Sequence, residues 1–164
     1  MKMVSSTDRF KALDACHQQI LQYLANLTAL LPQLETDSNS EQIRKQVRVI
    51  EAYFSHTARQ HHAEEEKSVF PPLLLSQDAE LVQVVHTLHQ DHGWIEQNWL
   101  ELSPMLRAIA QGEDWVDMAE LRHTIEVFVN LCNEHITLEE TLIYPHAKEQ
   151  LAAELAGRAK RLAQ

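Results

Sequence analysis

Two stretches of the sequence combine imidazole and carboxylate side chains at the spacing of one helical turn. They read QHHAEEEKSVFP and NEHITLEETLIYP, and each ends on an aromatic residue followed by proline. The first contains His61 and Glu65, and the second contains His135 and Glu139. Residues four apart on a helix lie about 40° apart around its axis, so both members of a pair point the same way. Two such pairs on facing helices supply nitrogen and oxygen ligands to one buried site.

Two further histidines lie on apolar stretches that repeat in the same order. His17 and His92 each follow a leucine four positions earlier, and each precedes an isoleucine by three positions. The interval from His17 to His61 equals that from His92 to His135 to within one residue. The chain therefore resembles two helical hairpins, each contributing one lone histidine and one His-x-x-x-Glu pair. Such a duplication predicts a pseudo-twofold axis through the site.

The positions of the two glutamates favour metal binding over simpler alternatives. A lone histidine on an apolar face is usually hydrogen-bonded in the core, and a His–Glu pair is commonly solvated. However, Glu65 and Glu139 fall on the apolar stripes of Phe54 and Phe128, where an unpaired carboxylate costs several kcal/mol. A bound cation removes that cost. We therefore predict a metal site with these ligands: His17, His61, Glu65, His92, His135 and Glu139.

The angular positions of the remaining histidines around their helices differ from those of the predicted ligands. Relative to His61, His62 is turned by about 100° and His56 by about 140°. We therefore expect that replacing either with alanine leaves the metal content intact, whereas replacing His61 reduces it. His89 lies only about 60° from His92 and is a rival, either as a substitute ligand or as its supporting partner. Solvated positions are expected for His86, His123 and His146, and for Glu64, Glu66 and Glu140, although one of these glutamates could orient an imidazole.

Composition indicates an all-α protein. The chain has 164 residues, 45% hydrophobic residues, three glycines and a net charge of −10. This length fits one domain, 1–164, with its metal-binding bundle at about 5–148. The negative charge argues against nucleic acid and anionic membrane partners. Two isolated cysteines and the lack of a long apolar run or signal peptide predict a cytoplasmic location.

Hydrophobic periodicity predicts an up-down antiparallel four-helix bundle with a short C-terminal helix. The first helix follows caps among residues 5–7 and ends near 32–35. The second follows Asn39 or Ser40 and is stopped by Pro71 and Pro72. The third begins around residues 77–78, is kinked by Pro104 and ends at residues 111–112. The fourth is capped by Asp114, turns Leu142 inward and is ended or bent by Pro145, and residues 147–162 form the final helix against the outside of the bundle.

The pattern resembles the hemerythrin-like HHE cation-binding domain over roughly residues 13–145. The resemblance implies a non-haem di-iron centre with two iron ions per chain, bridged by Glu65 and Glu139. The terminal ligands that it implies are His17, His61, His92 and His135. Zinc or manganese would accept the same donors. The ligand set is closer to that of iron-centre repair proteins than to oxygen-carrying hemerythrins, whose additional histidine corresponds here to Leu88.

Three functional hypotheses follow, and whether the protein is an enzyme is left open. The first is a di-iron protein that binds or reacts with a small oxidant or diatomic ligand, such as O₂, NO or peroxide. The second is an iron store or donor that repairs damaged iron–sulfur centres and has a client protein as partner. The third is a structural bundle stapled by metal. Under the first hypothesis, Leu88 predicts that the reduced protein binds NO but is oxidised by O₂ without forming a reversible complex.

The resemblance predicts two metal ions per chain, mainly iron. Two bridging carboxylates and two histidines per metal provide four of the six positions that iron prefers. Elemental analysis of protein purified from iron-replete cells should give two metals per chain. A value of one, or of none after reconstitution, would exclude the dinuclear site.

Overall fold

The computed structural model describes residues 6–37 and 40–163, and these form helices joined by short turns. The predicted caps Ser5 and Asn39 lie outside the described residues. The helices are α1 (Ser6–Thr36), α2 (Glu41–Ser55), α3 (Thr57–Glu64), α4 (Phe70–Leu74), α5 (Ala79–Ala110), α6 (Met118–Leu138) and α7 (Tyr144–Leu162). Two π-helical turns, Glu65–Val69 and Glu139–Ile143, join α3 to α4 and α6 to α7.

These helices form the four rods of a bundle, which confirms the predicted fold class. The rods are α1, the α2–α3–α4 run, α5, and the α6–α7 run. In the described part of the chain, α2 packs on α5, α5 on α6, and α1 on both α6 and α2, so the rods enclose one interior. None of the helices that the structure describes is both long and apolar enough to cross a membrane.

Two apolar clusters fill the interior on either side of a polar layer. In one cluster the ring of Phe54 packs against Trp99 and Phe128, with centroids 5.3 and 5.2 Å away. The other cluster includes Leu88 and Tyr144. Along α1, α5 and α6, a buried histidine lies between residues of the two clusters. The fold therefore sets a thin layer of imidazole and carboxylate groups between two hydrophobic layers.

The structure corrects two expectations, that Pro71 and Pro72 end the second rod and that a separate final helix covers residues 147–162. Pro71 stands at the start of α4, which continues to Leu74, and α7 begins at Tyr144. In each π-turn the N–H of the aromatic residue before proline bonds five residues back, to the carbonyl of Glu65 or Glu139. Proline is tolerated directly afterwards, because a residue in the first turn of a helix needs no N–H donor.

The second π-turn also changes which residues face inward. Leu142 was predicted on the inner face, but it is 41% exposed, while Ile143 is fully buried. A π-turn contains one additional residue, so it rotates the following residues by about one α-helical step of 100°. The prediction for Leu142 assumed an unbroken α-helix and is wrong for that reason.

The predicted helix ends are partly confirmed. Ser40 caps α2 and Asp78 caps α5, and Gly112, with φ of 78°, follows the C-terminus of α5. Pro104 lies inside α5, which continues through it. The cap of α6 is Asp117 and not the predicted Asp114, because only a carboxylate directly before the first helical residue reaches the free N–H groups.

Two leucines on α5 should differ in how much they contribute to the stability of the fold. Leu106 is fully buried, whereas Leu100 on the same helix is 59% exposed. Leu106→Ala should lower the free energy of unfolding by about 2–5 kcal/mol, because it leaves a cavity in a packed interior. Leu100→Ala should change it by about 0.5 kcal/mol or less. Urea unfolding of the two variants compares them, and equal effects would contradict the described packing.

Candidate metal centre

The six side chains predicted as metal ligands come together in the polar layer of the bundle. They project from four rods: His17 from α1, His61 and Glu65 from the second rod, His92 from α5, and His135 and Glu139 from the fourth. All six are buried, with exposed fractions between 0% and 6%. Each π-turn begins at one of the two glutamates.

Each glutamate approaches one imidazole from each half of the chain. Glu65 Oε1 lies 3.2 Å from His61 Nε2 and 3.5 Å from His92 Nε2. Glu139 Oε1 lies 2.8 Å from His135 Nε2 and 3.6 Å from His17 Nε2. Both carboxylates therefore lie between the histidines of the two hairpins.

The potential ligand atoms sort into two overlapping groups, each compact enough to hold one metal ion. Within each group, the atoms lie within 4.8 Å of one another. The first group is His17, His61, Glu65 and Glu139, and the second is His62, Glu65, His92 and His135. The rings of His17 and His61 have centroids 4.7 Å apart, and those of His92 and His135 4.6 Å apart. Glu65 belongs to both groups.

The polar atoms at the centre of the site lack hydrogen-bond partners among the described residues. The close contacts given above do not have hydrogen-bond geometry at these atoms. The atoms are His61 Nδ1 and Nε2, Glu65 Oε1, His92 Nε2, His135 Nε2, and Glu139 Oε1 and Oε2. Burying such groups without partners costs several kcal/mol, and they converge on one place. A bound cation would satisfy the carboxylate oxygens and one nitrogen of each imidazole, so the donor set fits a metal.

Three carboxylates orient imidazoles from outside the site. Each lies near the Nδ1 of a histidine whose Nε2 faces inward: Glu66 with His92 at 3.0 Å, Glu140 with His17 at 3.2 Å, and Asp91 with His135 at 3.5 Å. Such partners fix the ring and leave Nε2 free as a ligand. From the sequence, Glu66 and Glu140 were possible partners of an imidazole. Asp91 was not predicted, because in the sequence it is marked only by its position next to His92.

Tyr144, the aromatic residue before Pro145, is a further residue of the site. Its hydroxyl donates to Glu65 Oε2 at 3.0 Å and lies 3.3 Å from His17 Nε2. Its ring stacks on His17 at 4.8 Å, just as Phe70 stacks on His92 at 5.5 Å. Burial and the neighbouring Glu65 carboxylate raise the pKa of Tyr144 well above its usual value, so it remains a proton donor.

Most of the candidate ligands are in the protonation state that binds a metal, which is a neutral imidazole or an ionised carboxylate. Burial lowers the pKa of His17 and of His135, so both imidazoles are neutral. Burial acts to raise the pKa of Glu65, but the His61 and His92 imidazoles outweigh it and hold the pKa well below its usual range. Burial opposes charge on His61, yet the contacts with Cys16 and Glu65 raise its pKa to about 9. A metal must displace that proton, so binding should strengthen as pH rises.

His62 lies in the second group, although helix phase measured from His61 had turned it about 100° away. Whether His62→Ala leaves the metal content intact stays a prediction. His56 is exposed, as expected, and so are the three histidines predicted to be solvated. The side chain of His89 is 66% exposed, and its Nε2 lies 3.4 Å from Glu66 Oε1, so it contacts the partner of His92 rather than the site itself.

Comparison with known proteins agrees with this geometry. Residues 8–147 match the family described as the hemerythrin HHE cation-binding domain. The chain belongs to this family. An uncharacterized protein of Haemophilus influenzae is similar to this hemerythrin-like domain, with 30% identity over 145 residues, covering 87% of this chain and 80% of the relative. Cation binding by this hemerythrin-like domain accounts for the buried histidines and glutamates.

Removing metal should destabilise the hemerythrin-like domain without unfolding its helices. The uncompensated carboxylates of Glu65 and Glu139 would remain buried, whereas a ligand present at 100–1,000 times its Kd stabilises the folded state by about 3–4 kcal/mol. Circular dichroism should show similar helix content for the metal-free and metal-loaded forms, with a lower Tm for the metal-free form. An unchanged Tm would contradict a buried, preformed site.

Proposed function

We propose that this hemerythrin-like protein holds a carboxylate-bridged di-iron centre that binds or reacts with O₂, NO or peroxide. The observation that carries the proposal is the position of the two buried carboxylates. Glu65 and Glu139 each lie between an imidazole of one hairpin and an imidazole of the other. Two ions on either side of this pair would be bridged by both carboxylates and capped by histidines.

The imidazole and carboxylate donors support iron as the bound metal, and zinc or manganese could bind in its place. Neutral imidazoles with carboxylates suit divalent first-row metals, and no thiolate lies in either described group of potential ligands. When bound, two iron ions would supply electron transfer and open coordination positions for a small molecule. The protein's part is to keep the imidazole Nε2 atoms and the carboxylates in place.

The surroundings of the site favour a small, weakly polar ligand. A cavity of about 20 Å³ adjoins His62 and His135 and is lined largely by apolar groups, including Ala58, Cys132 and Ile136. That volume is about the size of one water molecule or one diatomic molecule. The protein ligands would leave about two of six positions open at an ion held by two histidines and two carboxylates. The open positions and the cavity together match ligands such as O₂ and NO.

Two features weigh against the alternative functions. The six central groups are at least 94% buried, which favours retention of metal over ready transfer to an iron–sulfur client. Structural metal sites usually have complete protein ligand sets, whereas this one would leave positions open. Release of iron to a chelator within minutes would favour the donor function. Tight retention without any redox change would favour the structural function.

Anaerobic titration with NO tests the proposal. Iron-loaded, reduced protein should develop a new absorption band and an altered electron paramagnetic resonance signal on addition of NO. Zinc-loaded protein and the His61→Ala variant provide controls, because the first lacks a redox-active metal and the second lacks a predicted ligand. If NO, O₂ and peroxide all leave the iron spectrum of the wild type unchanged, the proposed function is wrong.

Tyr144→Phe should change the redox potential of the centre while retaining the metal. The substitution keeps the ring on His17 but removes the hydrogen bond to Glu65, which makes the carboxylate a stronger donor to the metal. Stronger donation stabilises ferric iron, so the reduction potential should fall. Spectroelectrochemical titration measures the change, with Tyr23→Phe as a control away from the site. A potential equal to that of the wild type would exclude this role for the hydroxyl.

A further inference from the structure

We infer that His62 is a seventh protein ligand of the centre and supplies a third imidazole to the ion held by His92 and His135. This inference rests on the proposed metal centre and adds to it. The predicted set contained two histidines for each ion and treated the two halves as equivalent. With His62 included, one half would hold its ion with three imidazoles and the other with two.

Distance is the first observation in favour of His62. One of its ring nitrogens lies within 4.8 Å of ligand atoms of Glu65, His92 and His135, which are themselves equally close to one another. Metal–nitrogen and metal–oxygen bonds of about 2.0–2.2 Å place ligands on opposite sides of an ion about 4 Å apart. The four donors can therefore reach a common ion with small side-chain adjustments.

The orientation of the ring gives the second observation. The His62 ring stacks on His92 with centroids 4.2 Å apart and meets His135 edge-on at 5.9 Å. No hydrogen bond from the described residues holds the ring of His62 in this place. It thus differs from His92 and His135, whose Nδ1 atoms have carboxylate neighbours. A half-buried imidazole against two inward-facing imidazoles has a nitrogen available for a metal.

Helix geometry explains how adjacent residues serve different ions. Measured from the shared ligand Glu65, His61 lies about 40° to one side and His62 about 60° to the other. The two imidazoles therefore flank the carboxylate, with one directed toward each group. The corresponding position after His135 is Ile136, which is buried and apolar. The other half of the chain thus lacks an equivalent donor, and His62 breaks the pseudo-twofold symmetry.

If His62 is a ligand, the absence of a histidine at Leu88 has less effect on the centre. Leu88 stands one turn before His92, where an additional imidazole would favour reversible O₂ binding. His62 would supply an imidazole to the same ion from a different rod. The ion between His17 and His61 would then have fewer nitrogen ligands, and one of six positions would stay open at the ion between His92 and His135, beside the small cavity.

Proton nuclear magnetic resonance of the Co²⁺-loaded protein tests the inference. Each imidazole bound to a paramagnetic ion gives a strongly shifted, solvent-exchangeable N–H signal. The wild type, titrated with Co²⁺ alone, should show five such signals. His62→Ala and His62→Gln should show four and should bind their second Co²⁺ at least tenfold more weakly than the first. The exposed His56→Ala variant provides the matched control and should retain all five.

The outcomes separate this inference from the proposed centre. Four shifted signals in the wild type, unchanged in both His62 variants, would overturn the role of His62 and leave the dinuclear site intact. An absence of shifted signals in the wild type would contradict the metal centre itself. The wild-type count needs no variant to fold, so it decides the question even if a substitution at His62 disrupts the bundle.

Discussion

The burial of two carboxylates in the middle of a hydrophobic bundle is the constraint on which the rest of the structure depends. Glu65 and Glu139 are both 0% exposed, between two apolar clusters. Leaving such charges without compensation costs several kcal/mol, more than most single interactions in the bundle contribute. Inward-facing imidazoles relieve only part of this cost, because several nitrogen and oxygen atoms remain without hydrogen bonds. The surrounding helices thus position a site that a cation completes.

The duplicated hairpin builds the site, and departures from the duplication make its two halves chemically different. Phe70 and Tyr144 occupy matching positions and stack on matching histidines, but only Tyr144 has a hydroxyl to donate to Glu65. His62 and Ile136 also occupy matching positions, with a potential ligand in one half and an apolar group in the other. The duplication thus brings the carboxylates between the histidines, while these exchanges distinguish one group of potential ligands from the other.

Much of the fold and most of the site could be predicted because both depend on helical periodicity. Apolar spacing was sufficient for the four rods, and the His-x-x-x-Glu pairs identified the two central carboxylates. The π-turns could not be foreseen, since one additional residue per turn leaves composition unchanged while rotating Leu142 outward. The proximity of His62 to the second group was not predicted, because helix phase was measured from His61 rather than from Glu65. Asp91 contacts His135 across 44 positions of sequence, a proximity that only tertiary packing creates.

Anomalous X-ray diffraction at the iron absorption edge would test the central claim most directly. Crystals of the iron-loaded protein should give two strong anomalous peaks on either side of Glu65 and Glu139, one beside His17 and His61 and the other beside His92 and His135. Both carboxylates should span the two peaks. A single peak, or peaks away from the two glutamates, would contradict the account of a carboxylate-bridged dinuclear centre.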